Sequence, residues 1–481
     1  MSEAKRLHPI ASVIHAGKRM KNLILPGIAI LFSGGRKDLL IVLGISAAAV
    51  LITLISGIWS WLRYTYRFEQ DELRIEYGIF IRKKRYIPFE RIQSIDFTEG
   101  ILQQIFGLVK VKIETAGGGG DEEAEAVLTA ISKEEAQSIQ NYVTAVKNGG
   151  IHTANTSKVH QPIYKISMQQ LFILSLTSGG VGVVISAVFA LFSQLDDFIP
   201  YKRIFGNLER WAVHNIISIA ILVFIGFFIA WIISLIMTML KYANFTVIKS
   251  GKELIISQGL LEKRRITIPI NRIQAIRIIE NSVSRVLGYG TIFIESAGGS
   301  VTNKEGANVT LLPMVRVKEV RSILGVYLPE FHFTNSFNPV PKRAMLRYII
   351  RSWYIGVPVV ILAIIFLKKW GLLFLLLLAL LSYWAFLKYK ASGWQMEERQ
   401  LSFRYGAGIR KTIFMKKDKI QSMKIKESYF QRKKDLGTIE TFVKSGMGLS
   451  MGTVVDMDRD DLEAIWKWYS RNKKNRDGST G

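Results

Sequence analysis

One short run of residues is written three times in this chain: Arg91-Ile-Gln-Ser-Ile95, Arg272-Ile-Gln-Ala-Ile276 and Lys419-Ile-Gln-Ser-Met423. A glycine stands thirteen residues ahead of each copy, at Gly78, Gly259 and Gly406, and a Leu/Gly pair with a β-rich run follows each. Two apolar segments precede every copy. A repeat of this length means one unit used three times, which excludes any fold that lacks three equivalent parts. The third copy drifts: Lys419 replaces the arginine, Lys416 stands where Pro88 and Pro269 stand, and the segment leading to its Leu/Gly pair reads two residues longer.

The apolar segments place the chain in the membrane class. Hydrophobic residues make up 49% of its 481 residues and mean hydropathy is +0.22. They collect in six blocks, about 22–33, 39–61, 171–192, 216–240, 348–367 and 370–387. A spanning helix needs about 20 apolar residues, so five blocks qualify. The first is short and holds Pro26; its length suits either a spanning arm or a re-entrant segment. Pairing by repeat predicts three hairpins. Gly179, Gly180 and Gly182 would let helices approach closely in the second. Arg351, at a segment end, is expected to snorkel.

Lys and Arg set the orientation. Lys5, Arg6, Lys18, Arg19 and Lys21 lie at the N-terminus, and Arg63, Lys241 and Lys388 open the segments after the hairpins. The loops inside the hairpins are poorer in net positive charge. The bias predicts a multi-pass cell-membrane protein with its termini and soluble parts in the cytoplasm.

Behind each hairpin the pattern changes to alternation. Val109-Lys-Val-Lys-Ile113 is apolar at odd and basic at even positions, one face to a core and one to water. Each unit then closes on a helical pattern; Ser132-Lys-Glu-Glu135 has capping-box spacing. The predicted fold class is α+β, with three tandem units, each a two-helix transmembrane hairpin followed by a strand-rich barrel or sandwich and a capping helix. The predicted boundaries are hairpin 1 within 1–62, module 1 at 63–150, a linker at 151–165, hairpin 2 at 166–240, module 2 at 241–330, a linker at 331–345, hairpin 3 at 346–389, module 3 at 390–475 and a tail at 476–481.

This order, with its glycine, basic turn and Arg-Ile-Gln-Ser-Ile run, resembles the bacterial pleckstrin-homology-like (PH-like) membrane proteins, and among them the three-unit members. The resemblance covers nearly the whole chain. It implies a bent, roughly seven-stranded PH-like fold closed by a helix, a plasma-membrane location and no enzyme. It also implies a role in envelope defence, including resistance to antimicrobial peptides, and a shorter one-unit PH-like membrane protein as partner.

The net charge of +26 is unevenly spread: the first soluble module is near neutral and the other two are basic. Beside a bilayer such charge attracts anionic lipid of the inner leaflet, each surface Lys or Arg adding about 1 kcal/mol. Nucleic acid is not expected as a partner, because no recognition-helix or zinc pattern accompanies the charge. The candidate lipid- or partner-binding residues are the basic turns Arg82, Lys83, Lys84 and Arg85; Lys263, Arg264 and Arg265; Arg410 and Lys411; and the first residue of each repeat, Arg91, Arg272 and Lys419. For that first residue and the run it opens, a purely structural role outweighs ligand contact about two to one.

No cofactor is expected. The glycine run Gly117–Gly120, echoed by Gly298-Gly299 and Gly446-Met-Gly448, is followed in its first copy by Asp121-Glu-Glu123 and lacks a Gly-Lys-Ser/Thr, so it reads as a hairpin tip. There is no cysteine, and the six histidines (His8, His15, His152, His160, His214, His332) fall at no metal-ligand spacing. No Ser/His/Asp set or paired carboxylates stand out, so no catalytic or metal site is predicted. The expected function is a non-enzymatic membrane scaffold whose modules bind one another, a partner membrane protein or lipid, with a homo-oligomer as a further possibility. The second reading is a component of a transport or peptide-extrusion complex.

Overall fold

A computed structural model describes residues 4–17, 20, 39–69, 71–115, 126–147, 162–178, 185–186, 216–296, 308–334, 336–445 and 448–470. The first apolar block, the glycines at 117–120, 179–182, 298–299 and 446, and His152, His160 and His214 lie outside these residues.

The repeat is a series of seven strands used three times. Module 1 carries β1 (Lys5–Arg6), β2 (Thr65–Glu69), β3 (Glu72–Tyr77), β4 (Lys83–Pro88), β5 (Ile92–Glu99), β6 (Leu108–Thr115) and β7 (Ala126–Ser132). Its helices are α1 (Leu39–Leu62), α2 (Ile101–Ile105) and the closing α3 (Lys133–Lys147). Module 2 repeats the order with β8 (Tyr164–Lys165), α4 (Met168–Thr177), α5 (Ile216–Tyr242), β9 (Thr246–Ser250), β10 (Glu253–Gln258), β11 (Lys263–Pro269), β12 (Ile273–Glu280), α6 (Ser282–Val286), β13 (Tyr289–Ser296), β14 (Asn308–Arg316) and α7 (Val320–Tyr327). Module 3 has β15 (Asn338–Pro339), α8 (Met345–Leu367), α9 (Phe374–Ala391), β16 (Gly393–Met396), β17 (Gln400–Tyr405), β18 (Arg410–Lys416), β19 (Ile420–Lys426), α10 (Tyr429–Arg432), β20 (Leu436–Ser445), β21 (Gly448–Asp458) and α11 (Arg459–Ser470).

The first strand of each module comes before its apolar helical segment, and β2 to β7 or their equivalents come after it. The segments read as linkers, 151–165 and 331–345, therefore carry β8 and β15. The extra length read into the third copy is absent: β6, β13 and β20 start at the same distance from the repeat, 91 to 108, 272 to 289 and 419 to 436. The Leu/Gly pair was a poor ruler, because the turn before the strand is filled by Gly107 and Gly288 in two copies and by Asp435 in the third, all at positive φ.

Each repeat run has the same local geometry. A 3-10 turn ends at Arg91, Arg272 and Lys419, and the strand that follows carries a register shift at Gln93, Gln274 and Gln421. Such a bulge bends a strand sharply, which is how one strand series folds over a core. Side chains from both halves of the series and from the closing helix share each core. In module 1, Leu73 and Ile87 pack with Val111, Leu128 and Ile139. Each fully buried aliphatic side chain there contributes about 1.5–3 kcal/mol.

The modules are not separate barrels. Strands β1 to β4 form one sheet, but β7-β6-β5 continue across β11 into β10-β9-β8, and β14-β13-β12 continue across β18 into β17-β16-β15. The last three strands, β19-β20-β21, form a sheet by themselves. The C-terminal half-sheet of modules 1 and 2 is thus completed by the N-terminal half-sheet of the next. Cores cross these seams as well: Phe414 of module 3 belongs to the core of module 2, and Ala275 of module 2 to that of module 3.

Three hairpins are not established among the described residues. Two segments are long and apolar enough to span a bilayer, Val223–Tyr242 and the 50-residue stretch Lys342–Ala391. The second folds back on itself: Gly356 of α8 lies against Leu378 and Leu381 of α9, and the Trp353 indole donates to the Ser382 hydroxyl at 2.8 Å. Close approach at a glycine is the usual way helices meet in a membrane. Of the second hairpin, α5 and the start of the first arm, α4, are described; of the first, α1 alone.

Candidate interaction surface

The glycine ahead of each repeat shapes a tight turn. Gly78, Gly259 and Gly406 have φ of +115°, +99° and +98°, and a Cβ at each would overlap the carbonyl oxygen of Ile81, Glu262 or Ile409. A residue without a side chain is required there. In modules 2 and 3 the turn lies against the end of an apolar helix. In module 2 the Gly259 and Leu260 amides donate to the Ala243 and Leu240 carbonyls at the end of α5. In module 3 a Cβ at Gly408 would come within 2.6 Å of the Trp384 ring of α9. The tips are apolar: Phe80 is 95% exposed and Ile81 75%, with Leu260, Leu261 and Ile409 half-exposed in the other copies. Beside the tips of modules 2 and 3 the short helices α2 and α6 present Ile105 and Val286 to solvent, and α10, at the open end of the series, presents Phe430. Clustered apolar exposure next to a spanning helix marks a surface for the bilayer interface.

Because the chain has no cysteine, Phe80→Cys can carry a single environment-sensitive fluorophore. In lipid nanodiscs that label is expected to be quenched by spin-labelled lipid and shielded from iodide. A label at Glu90→Cys, beyond the far end of β4 and about 20 Å away along the strand, should stay open to iodide. Equal iodide quenching at both sites would remove the tip from the membrane.

The basic residues singled out from sequence divide among this surface, the seams and the opposite end of the strands, where Arg91 and Lys419 end their 3-10 turns. In module 1, Lys83 and Arg91 are exposed; Arg82 is exposed and pairs with Glu76, Lys84 lies 3.9 Å from the same carboxylate, and Arg85 sits over the Tyr77 ring. In module 2 the turn is drawn into the first seam: Lys263 stands opposite Glu99, Arg264 opposite Thr98 and Arg265 opposite Phe97. These three line a cleft of about 340 Å³ with Lys133 and Gln137 of α3. Burial lowers the pKa of Arg265 and Arg272 from the usual guanidinium value. In module 3, Arg410 forks onto Glu280 through two bonds of 2.5 and 2.6 Å, and Lys411 stands opposite Ile279. Lys419 lies 3.6 Å from Asp418 on its 3-10 turn. Across each seam the short helix also reaches the facing turn: Gln104 donates to the Leu261 carbonyl and Arg285 to the Ala407 carbonyl.

The acidic half of these contacts was missed in the sequence, although the repeat contains it. A glutamate stands eight residues after the first position of every copy, at Glu99, Glu280 and Glu427. Among the described residues no group of three or more His, Asp or Glu is placed to hold a metal.

Asp96 is the titrating group of the first seam. Its carboxylate accepts the Thr267 amide across the seam at 3.3 Å. Burial pushes its pKa up to about 7, and Glu114 adds to the rise; the Thr267 bond, Lys112 and Arg264 oppose it. An unfolded Asp titrates near 3.9, so between about 4 and 7 the folded chain binds the extra proton. The contribution of Asp96 to stability is therefore full below about pH 4 and lost as pH rises to about 7. The difference in unfolding midpoint between the wild type and Asp96→Asn should move in favour of the variant from pH 5 to pH 8. A constant difference would mean that Asp96 does not titrate in this range.

The family model for the bacterial PH domain matches three times, over residues 23–147, 187–328 and 355–473. The UPF0699 transmembrane protein YdbT of Bacillus subtilis (strain 168) is 39% identical over 491 residues, covering 98% of this chain and 99% of that protein. No solved structure matches.

Proposed function

The chain belongs to the bacterial PH domain family, three domains in one polypeptide, and from that membership we propose that it is a non-enzymatic, multi-pass membrane scaffold. Its modules lie on the cytoplasmic face, against an anionic inner leaflet, and hold a partner membrane protein in envelope defence against antimicrobial peptides. The observation that carries this reading is the pair of seams. Two continuous seven-stranded sheets join the three modules, and the apolar tips beside the apolar helices of modules 2 and 3 support a surface turned to the bilayer. Modules joined through shared sheets are what a scaffold needs. The transmembrane relative from Bacillus subtilis, matched end to end, and the Lys/Arg placement support the membrane topology.

Crosslinking in native membranes followed by purification of the chain tests the reading. The expected result is a membrane protein recovered in fixed ratio. A strain lacking the gene should also be more sensitive to envelope-active peptides. A chain recovered alone, with no change in sensitivity, would refute the scaffold.

A further inference from the structure

Three modules joined head to tail make two seams, and each seam consumes one edge of the β4 kind and one of the β5 kind. One edge of each kind is left over. Among the described residues no strand pairs with the outer edge of β4 at the start of the series or of β19 at its end. The exposure agrees: the equivalents of β19 in modules 1 and 2 are mostly buried or half-buried, whereas Gln421, Ser422, Lys424 and Lys426 are exposed. The seam contacts recur unmade at these ends. Arg82 and Glu427 occupy the positions of Arg410 and Glu280, and Arg432 that of Arg285.

A second copy of the chain is poorly suited to fill them. In the second seam Glu280 faces Arg410, Ile279 faces Lys411 and Arg277 faces Ile413. Carried over to the two open edges, that register sets Glu427 against Arg82 but Lys426 against Lys83 and Lys424 against Arg85. The two like-charged pairs fall on one face of the joint, where directly opposed like charges destabilise. Neither seam within the chain opposes two cations. Glu440 lies 2.6 Å from Lys426 and offsets part of that charge, while Lys424 has no ion pair among the described residues. Lysines on an open edge are also how sheet proteins block self-pairing.

We infer that β4 and β19 are docking edges for a different chain: a PH-like half-sheet whose edge strand carries acidic residues at alternate positions, opposite Lys83 and Arg85 or opposite Lys424 and Lys426. This rests on the scaffold reading and adds where, and by what chemistry, its partner is held.

The absence of cysteine permits a clean test with the full chain in detergent. One chain carries Lys84→Cys and the other Ile425→Cys, residues brought opposite by the seam register. Chains of native charge should not form the disulfide-linked dimer. Adding Lys83→Glu and Arg85→Glu to the first supplies the acidic strand and should raise the linked dimer about ten-fold or more. If that variant does not fold, Lys424→Glu beside Ile425→Cys makes the complementary change on the other edge. A dimer at native charge would make the second copy the occupant and overturn the inference; so would the absence of a dimer after both charge reversals. In native membranes, a photoreactive residue at 425 should link to an acidic edge strand of another chain. A partner linked elsewhere overturns this inference and leaves the scaffold standing, whereas recovery of no partner overturns both.

Discussion

Replacing Asp456 by alanine is expected to cost module 3 about 3 kcal/mol, at the low end for one partner lost from a buried ion pair. Asp456 is fully buried in β21. Its carboxylate accepts from Arg347 at 3.0 Å, from Arg351 at 2.9 Å and from the Gln431 amide at 2.8 Å. Arg347 and Arg351 lie in the first two turns of α8, so one carboxylate fastens the membrane hairpin to the last sheet. Removing it strands two cations and an amide donor together. The loss is held to the low end because the Arg351 side chain is 43% exposed and water solvates part of its charge. Asp456 also sits at a φ of +57°, a conformation alanine tolerates poorly and asparagine well. Asp456→Asn should therefore lose the charge term without the backbone term and fall between wild type and alanine. The denaturation midpoint in detergent, with limited proteolysis of module 3, reports both. A midpoint for Asp456→Ala equal to that of the wild type would show that the network holds nothing.

Gly259→Ala should be about as damaging, at 3 kcal/mol or somewhat more, because two costs add there. The φ of +99° is strained for any residue with a Cβ, at about 1–3 kcal/mol. The added carbon would also overlap the Glu262 carbonyl oxygen of its own turn, which has to move. That movement displaces Leu260 and Leu261, whose carbonyls receive Gln104 across the first seam. Loss of stability should therefore come with faster proteolysis between modules 1 and 2. Gly251 is the control. It too has positive φ, but a Cβ there meets nothing, so Gly251→Ala should cost only about 1 kcal/mol. Equal effects at the two glycines would mean that the Gly259 turn opens freely.

The glycines, the repeat and the closing helices were legible because each is a local demand on the chain. A turn that excludes a Cβ has to show glycine in every copy, and Ser132 caps α3 through the Glu135 amide as its spacing implied. The seams were not legible, because pairing across an edge leaves no periodic mark: β5 and β19 read alike, yet one is covered and the other open. The two-residue strands β1, β8 and β15 are too short for any alternation to show. Arg351, expected to snorkel on spacing alone, instead meets Asp456, a partner more than a hundred residues away. Drift in the third copy proved informative in place. Lys416, standing where the other copies have proline, holds the same extended backbone, lies over the Phe331 ring and pairs with Glu330.

The placement of β1, β8 and β15 ahead of the membrane segments gives biosynthesis a direction. Each module has one strand made before its apolar helical segment and six made after it, so its strand series is complete only once that segment has been synthesised. The exposed edge of its fifth strand then waits for the fourth strand of the next module. Apolar segments and strands thus alternate along the nascent chain, and each of the first two modules offers the edge on which its successor starts.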